Sequence, residues 1–219
     1  MDRPGGFSRQ ELMFLIGVPL AWAVLLLFHP SGEGDTIYQD ISDKVTTWMV
    51  VHVGMMIFIP LMAVVVFVLL RGLESTAAQV SRVAVVIFAV FYGTYETLQG
   101  IGNGILAEQV NDLPAAERGT GSELIQDFAE NIFARDFGVL SSIGGTAFLV
   151  AMLAAGIALK RGAGAPTSVL VLLGFAGILI TAHPPPFGPT GLALFIAAVL
   201  MFQRSRSAGR TPAPAEPLA

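Results

Sequence analysis

The chain has 219 residues, 54% of them hydrophobic and only 13% charged, with a formal net charge of −4 and a mean hydropathy of +0.71. That composition excludes an ordinary soluble domain of this length and points to a bilayer. The absence of cysteine excludes disulfides, thiolate metal sites and cysteine catalysis.

In chain order, six apolar stretches are long enough, or nearly so, to cross a hydrocarbon core of about 30 Å, which takes roughly 20 helical residues. They run from about Leu12 to His29, Trp48 to Leu70, Val83 to Leu106, Phe137 to Leu159, Thr167 to His183 and Gly188 to Phe202, the last two being short. None shows the alternation of a membrane barrel, so helices are expected, each satisfying its own backbone polar groups. The predicted fold is all-α: a polytopic integral membrane protein with six transmembrane helices in one bundle over residues 1–204. The first stretch follows Arg3 and Arg9 as a signal peptide would, but Phe28, His29 and Pro30 stand where small residues would mark cleavage, so a retained helix is expected.

Between the third and fourth stretches lies the longest loop, 107–136. There Leu124, Ile125, Phe128, Ile132 and Phe133 recur at helical spacing after Ser122, a good N-cap, which predicts an amphipathic helix over the outer end of the bundle. The Pro/Ala-rich tail, 205–219, lacks periodicity and reads as disordered. Pro19 and Pro60 lie inside the first and second stretches and are expected to kink them.

Charge sets the orientation. Nine of the twelve basic residues (Arg3, Arg9, Arg71, Arg82, Lys160, Arg161, Arg204, Arg206 and Arg210) fall on one side of an even-numbered helix count. Lys44, Arg118 and Arg135 fall on the other, with eleven loop acids between Glu33 and Asp136. The positive-inside rule then places both termini in the cytoplasm. Ten arginines against two lysines suit a GC-rich bacterial genome, hence a bacterial inner membrane. The expected partner is the lipid bilayer, not a nucleic acid. Gly100 and Gly104 would let a helix approach closely, in this chain or in an oligomer or membrane complex.

One carboxylate sits within the apolar runs. Fourteen residues beyond Arg82, at about 1.5 Å each, Glu96 lies roughly 20 Å into the membrane. Tyr92, Glu96, Gln99 and Asn103 share one face at i−4, i, i+3 and i+7, a stripe able to bind a cofactor or to serve as interhelical hydrogen-bond glue. His52 should enter the membrane at the depth of Glu96, and His29 and His183, each followed by proline, should end their helices on the same outer side. Three histidines and a glutamate can complete the shell of zinc, iron or copper, and Met49, Met55 and Met56 around His52 would favour Cu(I). The same groups could relay protons, and two histidines could ligate haem. Set against these are interfacial roles for His29 and His183, gap-filling for the methionines and a structural, protonated Glu96.

No HExxH, histidine box or P-loop occurs. The expected function is binding or translocation of a cation, a transition metal or a proton, at His52, Glu96, His29 and His183. The alternatives are an assembly subunit of a larger membrane complex, or a membrane enzyme acting on a lipid or quinone head group with His52 or Glu96 as acid/base.

Overall fold

A computed structural model describes residues 6–30 and 34–208. The expected tail from residue 209 onward and the charged positions Arg3, Glu33 and Arg210 lie outside the described residues. All regular structure among the described residues is helical.

Helix α1 (Arg9–Leu26) starts three residues earlier than the apolar run suggested, because Ser8 and Glu11 form a reciprocal capping box. Its end, two residues short of Phe28, leaves Phe28 and His29 in a turn before Pro30. After the single turn and a half of α2 (Ile37–Ile41), α3 (Val45–Leu69) runs unbroken through Pro60. Ser75 caps α4 (Thr76–Glu96) seven residues ahead of the expected start, and the Arg82 side chain reaches back to the carbonyls of Leu70 and Leu73. The rod continues through a π-helical segment (Thr97–Gly102) into α5 (Asn103–Asn111). Then come α6 (Arg118–Ala129), α7 (Val139–Ala163), α8 (Thr167–Leu179) and α9 (Phe187–Ala208). α9 carries on past Arg204, so residues 205–208 of the expected tail are helical.

Among the described residues, five helices are long and apolar enough to cross a membrane: Arg9–Leu26, Val45–Leu69, Thr76–Asn111, Val139–Ala163 and Phe187–Ser207. The remaining expected span is helical only over the 13 residues of α8, about 20 Å at 1.5 Å per residue. Proline bounds it: Pro166 is its N-cap, and Pro184 to Pro186 prevent the chain from continuing as helix beyond His183.

The long helices and α8 close into a ring. α1 packs on α3, α3 on α4, α4 on α7, α7 on α8, α8 on α9, and α9 returns to α1. Inside the ring Leu15, Trp22, Met55, Ile59, Met62, Phe88, Phe148 and Phe195 are fully buried. Outside, Val64, Phe67, Val83, Val90, Phe175 and Ile178 are exposed, so the bundle is apolar on both surfaces, as suits helices in lipid. α4 and α7 approach especially closely at Gly144, where a Cβ would stand 2.7 Å from the Tyr92 backbone nitrogen.

A small second core forms at one end, where α2, α5 and α6 gather around Ile41, Trp48, Ala107, Val110 and Ile125. The amphipathic helix expected after Ser122 differs in register. α6 begins at Arg118, Ser122 is an interior residue whose hydroxyl meets that of Thr36 at 3.3 Å, and Ile132 and Phe133 fall beyond the helix, exposed. Its buried face is Gly121, Ile125 and Ala129. Two of those three are small, which a count of large apolar residues overlooks.

Candidate metal centre

Four side chains from four elements meet at the end of the ring that carries α2, α5 and α6. His29 follows α1 and His183 follows α8, each displaced from its helix by the next proline. His52 lies two turns into α3, and Glu96 is the last residue of α4 before the π segment. Glu96 is 0% and His52 1% exposed, while His29 and His183 are 8% exposed. One ring nitrogen from each histidine lies within 4.8 Å of the others.

Hydrogen bonding fixes which nitrogens are available. His29 Nδ1 lies 2.8 Å from the Pro30 carbonyl and His52 Nδ1 2.8 Å from the Trp48 carbonyl. A carbonyl only accepts, so both Nδ1 atoms must carry the proton, and in the neutral rings both Nε2 atoms hold lone pairs. Tyr92 donates its hydroxyl proton to the Thr181 carbonyl at 2.6 Å, which leaves its oxygen to accept from His183 Nδ1 at 3.2 Å. Glu96 Oε1, 3.3 Å away, is the second acceptor facing that nitrogen. His183 therefore also offers Nε2 as a lone pair.

The consequence is a set of acceptors facing acceptors. His183 Nε2 and His29 Nε2 are 3.2 Å apart, and His52 Nε2 stands 3.8 Å from Glu96 Oε2. Neither Glu96 oxygen has a hydrogen-bond partner among the described residues. Lone pairs so placed repel unless a cation or proton lies between them. Four donors at metal bonds of about 2.0–2.1 Å around a tetrahedral ion stand about 3.3 Å apart. His29 Nε2 and His183 Nε2, at 3.2 Å, match that spacing, whereas His52 Nε2 and Glu96 Oε2, at 3.8 Å, are wider. The group within 4.8 Å comprises the three histidines without Glu96. Each Nδ1 already has an oxygen to orient it, as in metal-bound histidines generally.

No family model, curated protein or solved structure matches this chain. The residues themselves must carry the functional argument.

His183, not His52, is the imidazole nearest to Glu96, at 3.3 Å against 3.8 Å. The polar stripe is divided by the π segment, which adds residues to the turn and rotates α5 relative to α4. Tyr92 and Glu96 face the histidines. Gln99 and Asn103 instead bond to one another, with Asn103 Nδ2 donating to the Gln99 carbonyl at 2.7 Å and to its Oε1 at 3.0 Å. Gly100 and Gly104 do not form an open face for a second copy, because α3 of the same chain covers them with His52, Met49 and Trp48. Among the methionines, Met49 packs on Gly104, Met55 is in the main core and Met56 faces outward. The donors at hand are thus imidazole and carboxylate. Two further residues border the site. Trp48 presses its ring on His52, with centroids 4.2 Å apart, and Asp136 accepts from the Tyr95 hydroxyl beside Tyr92.

Proposed function

We propose that this protein is a six-helix integral membrane protein that binds one transition-metal ion of the zinc, iron or copper(II) class through His29, His52, His183 and Glu96. The observation that carries this reading is the pair of acceptor-to-acceptor contacts, His29 Nε2 to His183 Nε2 and His52 Nε2 to Glu96 Oε2. Three imidazoles and one carboxylate suit borderline divalent ions better than Cu(I), which thioethers favour. Haem fits less well, because it would need two imidazoles separated by a macrocycle. The histidine rings here pack on one another, with centroids 4.8 to 6.0 Å apart.

Binding is favoured over translocation by what lies beyond the site. Between it and the far end of the ring, the buried polar groups among the described residues are Ser81, whose hydroxyl bonds the Ala151 carbonyl at 2.8 Å, and the indole N–H of Trp22, a donor that cannot ligate a cation. A cation moving that way would lose its ligands and meet no carboxylate or imidazole to replace them, at a cost of several kcal/mol or more. The far end holds Arg9, Arg71, Arg82, Lys160, Arg161, Arg204 and Arg206, which supports a cytoplasmic placement of both termini and an outward-facing site, with α8 as a short sixth crossing.

Elemental analysis of the purified protein, before and after titration with zinc, iron(II), cobalt(II) and copper(II), tests the reading. About one equivalent in the wild type, and less than a tenth of that in His52→Asn, is expected. A wild type that binds none of these ions overturns the proposal and leaves Glu96 as a packing group.

A further inference from the structure

The π segment is the one irregularity in the 36-residue rod from Thr76 to Asn111, and it falls directly after Glu96. Such segments are frequent at functional sites because they turn one carbonyl or side chain to a new direction. Here the residue affected is Gly100. Its carbonyl accepts the Trp48 indole N–H at 2.6 Å. Its α-carbon is the seat of the His52 ring: a Cβ at position 100 would fall inside the space of His52 Cδ2 and Cγ, and 2.8 Å from its Cβ.

Trp48 closes the other side. Its indole stacks at 35° on the imidazole of His52, its own carbonyl accepts from His52 Nδ1, and its edge meets the His29 ring at 5.3 Å between centroids. His52 is therefore held by the Gly100 backbone on one side and the Trp48 ring on the other, with Nδ1 tied down. The Trp48–Gly100 hydrogen bond fastens these two sides to each other. The ring has one nitrogen left to present.

We infer that Trp48 and Gly100 are positioning residues that hold His52 with Nε2 aimed at the cation site, and that the π segment supplies both the seat and the carbonyl this requires. The inference rests on the metal-binding reading for its consequence, but not for its geometry. Neither residue touches the ion; both act through His52. Removal of such supporting contacts around a metal ligand lowers affinity by about 10- to 100-fold.

Trp48→Phe tests this, because it keeps an aromatic ring and removes the N–H to Gly100 together with the second ring of the indole. Cobalt(II) is the probe, for its visible d–d bands report the ligand geometry. The variant is expected to bind cobalt(II) about 10- to 100-fold more weakly than the wild type, with altered bands. In a His52→Ala background the same substitution should change the residual affinity by less than twofold, since the group it acts through is gone. Gly100→Ala should lose the site entirely, and the Trp48→Phe pair keeps the test valid if that variant does not fold. A second readout needs no metal: the ring nitrogens of His52 should give one set of ¹⁵N resonances in metal-free wild type and two sets, or an averaged one, in Trp48→Phe. Unchanged affinity and bands in Trp48→Phe, or an undiminished effect without His52, overturns the positioning role. If the wild type binds no cobalt(II), the metal reading fails, and the metal-free resonances alone decide whether Trp48 orders His52: identical sets in both proteins overturn that too.

Discussion

Glu96→Gln separates the two roles open to the carboxylate, because the amide has nearly the same volume but lacks the charge and gains a donor. In place of Glu96 it can keep an oxygen toward His183 Nδ1, now 3.3 Å from Oε1, and turn its NH2 toward His52 Nε2, now 3.8 Å from Oε2. Both carboxylate oxygens lack a hydrogen-bond partner among the described residues, and an unsatisfied buried group costs about 1–3 kcal/mol. The metal-free variant should therefore be as stable as the wild type or more so. With metal the sign reverses, since the only anion among the four donors is lost. An ion at one hundred times its dissociation constant stabilises the folded state by about 2.7 kcal/mol, and if the variant binds about 100-fold more weakly the same concentration gives only about 0.4 kcal/mol. A chain of this size shifts its Tm by roughly 2–4 °C per kcal/mol, so added ion should raise the wild-type Tm by about 5–11 °C and that of the variant by about 1–2 °C. Thermal melts of the purified protein in detergent, with chelator and then with saturating zinc, measure both effects. Equal zinc-induced shifts, or a metal-free variant that melts well below the wild type, would refute the reasoning.

Gly144→Ala is expected to destabilise by about 1–3 kcal/mol or more, because the new methyl meets Tyr92 backbone atoms that cannot rotate away. Gly145→Ala, with nothing closer than 3.8 Å, should be nearly neutral, and melts that fail to rank the two in this order would contradict the α4–α7 packing. Tyr95→Phe removes the hydroxyl that bonds Asp136, worth up to about 2 kcal/mol, and should speed amide exchange over residues 131–138; unchanged exchange would show that the loop is held by other contacts. Single cysteines at Asp35 and Gly119 should react with an impermeant thiol reagent on intact cells and those at Glu74 and Arg161 should not, and the reverse pattern would invert the proposed orientation.

The long helices were legible because a bilayer demands apolar runs of a fixed length, and the runs around Trp22, Val65, Val85 and Ala151 supply them. Helix α8 was less so, since the length of a run does not say where a proline will end the helix. The π segment was hidden: TLQGIG has the composition of an ordinary helix, and only the seat it makes for His52 gives it away. Depth along each helix placed three histidines and Glu96 at one end. Their sideways convergence depends on the order of helices around the ring, which no periodicity encodes, and so His183 came out nearer to Glu96 than His52 did.

The ring order also governs when the site can exist at all. His29, His52 and Glu96 are all synthesised within the first half of the chain, yet the nitrogen 3.2 Å from His29 belongs to a residue 154 positions later. A nascent chain carrying α1, α3 and α4 thus presents two imidazoles and a carboxylate on an unfinished wall, and the last donor arrives only with α8, after which α9 comes to rest against α1. Under the proposed reading, ion capture on this path would be a late event in biogenesis. A bound ion would tie the first-made helix to one of the last, and so favour chains whose insertion has run to completion.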